Sequence, residues 1–153
     1  MVSSPWHGYK ITSPATKIIK RASDQFSLWL SELRRMGLEF EEGDAVTFWN
    51  LLSAIYALTE EEQVKLRATD AYTFSGGSAT TGKRKLAALI RAKLVLTTEN
   101  PAKRTEKFVT VSKDVKAAVI KTLDSLADNY KADTTAYLKY RRLNGRTGGK
   151  QLS

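Results

Sequence analysis

The sequence predicts a mainly α-helical domain that carries one small β-hairpin. Apolar residues recur every three or four positions over most of the chain, which is the spacing of one helix face. Capping residues and glycines separate these segments, and two short stretches after Lys93 are rich in β-branched and apolar residues instead. With 153 residues, 42% of them hydrophobic, the chain is long enough to bury a single core.

The first two predicted helices are amphipathic. Ser13 and Pro14 form a helix-start signal, because the serine oxygen can accept a free amide and proline tolerates the first helical position. The helix that begins there should end at Gly37, and Asp44 should cap a second helix. The stripes that we expect to be buried are Ile18, Ala22, Phe26, Trp29, Leu30, Leu33 and Met36 in the first helix and Val46, Trp49, Leu52, Ile55 and Tyr56 in the second.

Two further helices are predicted on either side of a glycine break. Thr59 and Glu62 have the T-x-x-E spacing of a capping box, so a third helix should start near Glu60 and stop at Gly76. Ser78 or Thr80 should cap a fourth helix. Its inner side carries Leu86, Leu89, Ile90 and Leu94, and its outer side carries Thr81, Lys83, Arg84, Lys85 and Arg91.

A hairpin and a last helix complete the prediction. The strands are expected over residues 94–98 and 107–111, joined by a polar tip, residues 99–106, that contains Asn100 and Pro101. Ser112 should cap a long helix that continues past Tyr130. Helix, helix, glycine turn, basic helix, hairpin and helix is the order of a winged helix-turn-helix. We therefore predict an N-terminal arm (1–13), a winged helix-turn-helix domain with dimerisation helices (14–140) and a flexible basic tail (141–153).

Several classes of function are disfavoured by composition. The chain has no cysteine, which excludes disulfides, thiolate nucleophiles and cysteine-based zinc sites. No apolar stretch is close in length to the about 20 residues that are needed to span a bilayer. Residues 1–10 do not have the pattern of a secretory signal. His7 has no ligand-spaced partner and is expected to lie in a mobile arm, and Glu60–Glu62 are better explained by helix capping than by metal binding. We therefore expect no enzyme, cofactor, metal or membrane partner, and a cytoplasmic, nucleoid-associated protein.

Charge points to a nucleic-acid partner. The net charge is +9, and its distribution is uneven. Residues 31–66 contain eight acidic and three basic residues, whereas residues 81–121 contain eleven basic and three acidic ones. A helix fits the major groove of duplex DNA, and a narrow minor groove attracts an inserted arginine. The expected DNA-binding residues are Thr80, Thr81, Lys83, Arg84 and Lys85 on the fourth helix and Lys103 and Arg104 on the hairpin tip.

The same segments resemble the MarR family of transcription regulators. In that family the recognition helix ends in a Gly-Leu-Val-like turn, followed by a wing of the type D-P-x-D-x-R and a V-x-L-T sequence that opens a helix. Pro101, Arg104, Val109, Val111 and Ser112 fall on those positions, whereas Asn100, Lys103 and Lys93 stand where aspartate, aspartate and glycine are usual. The resemblance covers about half of the chain. It implies a homodimer, interlocked through residues 15–36 and 113–130, that binds a pseudo-palindromic site, and it leaves a small-molecule effector open.

Alternative functions stay open on the sequence alone. A plasmid or phage replication or partition protein also uses winged helices, but on tandem repeats. An RNA-binding protein is compatible with the charge, although no exposed aromatic sheet for stacking bases is predicted. Trp29, Trp49 and Tyr56 could line a ligand pocket, but aromatic residues at helical spacing are more often core. The basic residues of the tail suit either phosphate contacts or simple solvation.

Overall fold

The computed structural model describes residues 5–21 and 26–126, and it describes only the backbone at 18, 20, 21, 26–30, 42, 125 and 126. The helices are α1 (Pro14–Arg21), α2 (Phe26–Arg35), α3 (Ala45–Tyr56), α4 (Ala68–Ala71), α5 (Ala79–Arg91) and α6 (Lys113–Leu126). The strands are β1 (Leu66–Arg67), β2 (Val95–Glu99) and β3 (Lys107–Val111), which form an antiparallel sheet in the order β1-β3-β2. Short helical turns precede α3 (Glu42–Asp44), follow it (Ala57–Glu61, π-helical) and follow α4 (Tyr72–Ser75).

The fold is mainly helical with a small sheet, as predicted. The chain runs from α4 through a tight turn into α5 and then into the β2–β3 hairpin, which is the order of a winged helix-turn-helix. The two long strands match the predicted ones to within one residue. In the described part of the chain, no helix is long and apolar enough to cross a bilayer.

Helix α3 forms the centre of the core. Leu51, Leu52, Ala54 and Ile55 are at most 1% exposed, which means that successive residues on all sides of the helix are buried. It contacts α2, α5, α6, β3 and the turn after α4. Trp49 and Tyr56 are buried within this core, as expected of aromatic residues at helical spacing. The Trp29 side chain lies outside the described residues.

The predicted third helix is wrong in its first half. Thr59 donates its hydroxyl to the Ile55 carbonyl at 2.7 Å, so α3 continues as a π-helical turn and no capping box forms. Gln63, with a φ of +60°, turns the chain away from the helix axis. Leu66 is then buried in an extended conformation and pairs with Val109 of β3, which gives the sheet a third strand.

The acidic turn, residues 60–62, caps a different helix from the one predicted. Glu62 accepts hydrogen bonds from the backbone amides of Thr12 and Ser13, both at 3.1 Å, and Glu61 accepts one from the Ser13 hydroxyl at 2.8 Å. Ser13 in turn accepts the Ala15 amide, which confirms it as the start signal of α1. Burial alone would raise the pKa of Glu62, but the bonds from Ser13 and Thr12 outweigh it and hold that pKa below its ordinary value.

Trp6 and Tyr9 of the N-terminal arm are packed against the core, whereas we expected a mobile arm. The Trp6 and Tyr9 rings lie on Phe74, with centroid distances of 4.9 and 6.3 Å. Phe74 belongs to the turn that leads into α5. The arm therefore packs against the helix-turn-helix itself.

The described parts of the predicted dimerisation helices bury their apolar residues inside the chain. Val115, Val119 and Leu123 of α6 are at most 2% exposed, and Ser112 caps this helix through the Val115 amide as predicted. Lys121 of α6 pairs with the buried Glu32 of α2 at 2.9 Å. The predicted helix from Ser13 to Gly37 is present as α1 and α2, with residues 22–25 between them outside the description. Residues 127–153, which include the end of the predicted domain and the basic tail, also lie outside it.

Gly82 sets the position of α5. A Cβ at this residue would stand 2.3 Å from the Tyr72 carbonyl oxygen and 2.9 Å from the Tyr72 carbonyl carbon and Cα. All three atoms belong to the Tyr72 backbone, so none of them can move aside by changing a rotamer. Helix α5 can cross the preceding turn this closely only because residue 82 has no side chain.

We predict that Gly82→Ala destabilises the protein by about 1–3 kcal/mol, although alanine favours a helix over glycine by about 1 kcal/mol. The clash with the Tyr72 backbone is the reason. Chemical unfolding measures the difference. Gly43→Ala is the matched control, because a Cβ at Gly43 meets open space and should change stability by less than about 0.5 kcal/mol. An unchanged or higher stability of Gly82→Ala would contradict the close approach.

Glu62 should stabilise α1 in a pH-dependent manner. Because its pKa in the folded chain is lowered from 4.5, its contribution is present above pH 4.5 and is lost as the pH falls through the folded value. We expect Glu62→Ala to lose about 1 kcal/mol at neutral pH, the usual effect of removing a helix cap, and to show a shallower loss of stability in acid than the unaltered chain. Thermal unfolding between about pH 3 and 7 measures both effects. Glu39→Ala, which removes an exposed carboxylate, should do neither.

Candidate nucleic-acid interface

Helix α5 presents a polar and basic surface over its first two turns. Ser78 caps the helix by accepting the Thr81 amide at 3.1 Å, which settles the two predicted caps in favour of Ser78. Thr80, Lys83 and Arg84 are exposed, and Thr81 is half-buried with its hydroxyl accepting from Ser78 at 3.2 Å. Four of the five predicted side chains on this helix are therefore at least partly open to solvent at one end of it.

Lys85 does not belong to that surface, which corrects our prediction that it lies on the outer side. Its side chain is 9% exposed, its ammonium group lies 2.8 Å from the Asp44 carboxylate and it stands 5.0 Å from the centre of the Phe48 ring. Asp44 precedes α3 as predicted but makes no side-chain cap. The sequence contains a signal for this, since Gly82, Lys85, Leu86 and Leu89 have the spacing of one helix face and all four are buried.

A groove of about 640 Å³ separates α5 from the segment before α3. Phe40 and Phe48 contribute aromatic surface to it, with ring centroids 6.1 Å apart. Its charged lining is acidic on one side (Glu39, Glu41 and Asp44) and basic on the α5 side (Arg84, Lys85 and Arg91). The acidic side limits how far along this flank of α5 a polyanion can be bound, because like charges repel.

The end of α5 turns sharply into the hairpin. The Leu94 amide donates to the Leu89 carbonyl and the Lys93 amide to the Ile90 carbonyl, both at 3.0 Å, which is the bonding pattern of a Schellman cap. Lys93 has a φ of +64°. This is the position at which the resemblance expects glycine, and a lysine there accepts left-handed strain of about 1 kcal/mol without changing the turn.

The wing tip, residues 99–106, is held by its own polar groups. The Asn100 side chain accepts the Ala102 amide at 2.9 Å and donates to Glu106 at 3.2 Å. The backbone adds bonds from Lys103 to Asn100 at 3.1 Å and from Glu106 to Lys103 at 3.0 Å. Lys103 and Arg104 are exposed at this tip, where we predicted them to be.

Arg67 links the wing to the helix-turn-helix, and sequence reasoning missed it. Its guanidinium binds both carboxylate oxygens of Asp70 at 2.9 and 3.1 Å and one oxygen of Glu106 at 3.2 Å. The three-residue spacing of Arg67 and Asp70 suggests the first pair. Nothing in the sequence indicates the second, because Glu106 is 39 positions away and approaches only through the β1–β3 pairing.

The cations of this region divide into paired and unpaired ones. Lys85 is paired with Asp44, Arg67 with Asp70, and Lys107 with Glu99 at 3.6 Å. Among the described residues, no acidic side chain lies within ion-pair distance of a second group of cations. They are Lys83, Arg84, Arg91, Lys93 and Arg104. Within the same ranges, no cluster of three potential metal ligands occurs.

No family model matches this chain, and no curated protein does. Among solved structures, the chain is similar to MarR, with a TM-score of 0.44 and 16% identity over 90% of this chain and 94% of that one. It is also similar to a transcriptional regulator from Thermotoga maritima, with a TM-score of 0.46 and 17% identity over 92% of this chain and 98% of that one.

Proposed function

We propose that this chain is a DNA-binding transcription regulator that places α5 in the major groove and the wing tip at the adjoining minor groove. One observation carries the proposal. The buried face of α5 is fixed against the core, while Thr80, Lys83 and Arg84 project from the start of the same helix without an acidic partner among the described residues. A helix with this arrangement can present donors to base edges and phosphates together.

The charges of the lobe support a polyanionic partner. Asp44, Asp70 and Glu106 each pair with a basic side chain inside the lobe. These acids do not neutralise the five cations of this region that have no acidic partner among the described residues, so we expect a positive field outside α5 and the wing. Arg104, at the exposed tip of the hairpin, suits insertion into a narrow and electronegative minor groove.

The finer parts of the proposal concern assembly and site. We propose a MarR-like homodimer, built from the terminal helices, that binds a pseudo-palindrome with half-sites about one helical turn apart and acts on the nucleoid in the cytoplasm. We place the dimer contacts on residues 15–36 and 113–130, where Ile19, Met36 and Ile120 are only partly buried within one chain.

Selection of duplex fragments from a random pool by the purified protein, near 0.15 M salt, tests the proposed function. We expect enrichment of an inverted repeat, because two symmetry-related α5 helices would read two half-sites of opposite orientation. Enrichment of tandem repeats would replace the regulator with a replication or partition protein. Binding without any enrichment would reduce the function to nonspecific nucleic-acid binding, and a preference for RNA would overturn the proposal.

Substitutions on α5 and the wing should separate the two contacts. We expect Arg84→Ala to weaken duplex binding by about tenfold or more, because an exposed arginine on a groove helix reaches bases or phosphates. Arg104→Ala should weaken binding with less change in base preference, because a wing contact reads groove width more than base edges. Fluorescence anisotropy on the enriched duplex measures both affinities.

Lys85→Met is the matched control for Arg84→Ala. It removes one positive charge from the adjacent position, but from a side chain that is buried against Asp44 and Phe48. We expect it to leave affinity within about twofold once a folded state is verified by thermal unfolding. A loss as large as that of Arg84→Ala would restore Lys85 to the DNA-binding surface, and an unchanged affinity of Arg84→Ala would remove α5 from it.

A further inference from the structure

The ion pairs of Arg67 and Glu106 connect β1, α4 and the wing tip. Arg67 lies on β1, binds Asp70 on α4 through two parallel bonds and reaches Glu106 at the end of the wing tip. Glu106 also accepts the Asn100 side-chain amide and lies 3.7 Å from the Lys103 ammonium. The helix-turn-helix and the two ends of the wing tip are thereby joined by one network.

We propose that Arg67 and Glu106 are positioning residues that hold the wing tip in the conformation that binds DNA. This inference rests on the proposed function, since it concerns the same interface. Arg104 lies between two members of the network, Lys103 at the preceding position and Glu106 two positions later, while its own guanidinium has no acidic partner among the described residues. The network fixes the backbone on both sides of Arg104 and leaves its side chain available.

The geometry favours positioning over ordinary surface pairing. Most exposed ion pairs contribute little, because ordering two long side chains offsets the attraction. The Arg67–Glu106 pair differs in two respects. The Glu106 side chain is only 17% exposed, and the Asp70 pair fixes the guanidinium by two bonds before it reaches Glu106. A tip held before binding loses less conformational freedom when it meets DNA.

Glu106→Gln tests the proposal by the sign of its effect. It removes one negative charge from a surface that faces a polyanion, so electrostatics alone predicts tighter binding. Positioning predicts the opposite. The carboxylate accepts from Arg67 through one oxygen and from Asn100 through the other, and a glutamine would have to turn its NH₂ group toward one of these two donors.

We expect Glu106→Gln to bind the enriched duplex about three- to tenfold more weakly than the unaltered chain near 0.15 M salt. If the selection enriches no sequence, a mixed-sequence duplex is the probe. Tighter or unchanged binding would overturn the positioning role.

A double-substitution cycle then locates the effect at Arg104. Arg67→Ala should weaken binding about as much as Glu106→Gln in the normal chain, but should have little further effect once Arg104 is replaced by alanine. Additive losses would mean that Arg67 contacts DNA itself, which would overturn the proposal. Lys107→Ala is the control, because it removes one positive charge from the same sheet while its partner, Glu99, lies outside the Arg67 network. Its effect should be smaller than that of Arg67→Ala.

A measurement without DNA separates failure of this inference from failure of the proposed function. Trypsin binds several residues around the cleaved bond in an extended conformation, so we expect opening of the tip to speed cleavage after Lys103 and Arg104. Arg67→Ala and Glu106→Gln should therefore be cut there several times faster than the unaltered chain and Lys107→Ala, as followed by mass spectrometry. Equal cleavage rates would overturn the network's hold on the tip. Faster cleavage in variants of a protein that binds no duplex would mean that the network does fix the wing tip. It would overturn both the role of the network in DNA binding and the proposed function.

Discussion

Burial of α3 on all its faces is the constraint from which the other parts of the structure follow. A helix that is apolar all round has no solvent face, so it must be covered from several directions. Here α3 is covered by the helices α2 and α6 and also by α5, β3 and the turn after α4. The helices that we assign to dimerisation and the lobe that we assign to DNA binding thus share one core.

Two close contacts fix the position of α5 on this core. The absence of a side chain at Gly82 lets α5 rest on the Tyr72 backbone, and the Lys85–Asp44 pair ties the same helix to the segment before α3. Together they fix both the depth and the rotation of α5. Rotation matters most, because it decides that Arg84 faces solvent while Lys85, one residue later, does not.

Several acidic residues in this protein hold together the structure that carries the basic surface. The acidic turn holds the start of α1 through Thr12 and Ser13, and also contacts α6 through Glu60 and Lys116 at 3.0 Å. Asp70 and Glu106 both pair with Arg67, which joins the wing to α4. Each of these carboxylates accepts from donors within the chain, so basic residues outside these pairs remain as exposed charge.

The sequence alone determined several features that depend on neighbours along the chain. The serine caps at positions 13, 78 and 112, the glycine break and the hairpin are local features, set by spacing and backbone preference, and the structure has them where the sequence predicts them. The tertiary structure decided which polar groups meet across the fold. Glu62 caps α1 instead of its own helix, Asp44 pairs with Lys85 instead of capping α3, and Leu66 joins the sheet instead of a helix. The physical reason is that the hydrogen-bonding groups of a carboxylate or an amide can bind any correctly placed partner. Only the packing of distant segments decides which partner lies within hydrogen-bonding distance.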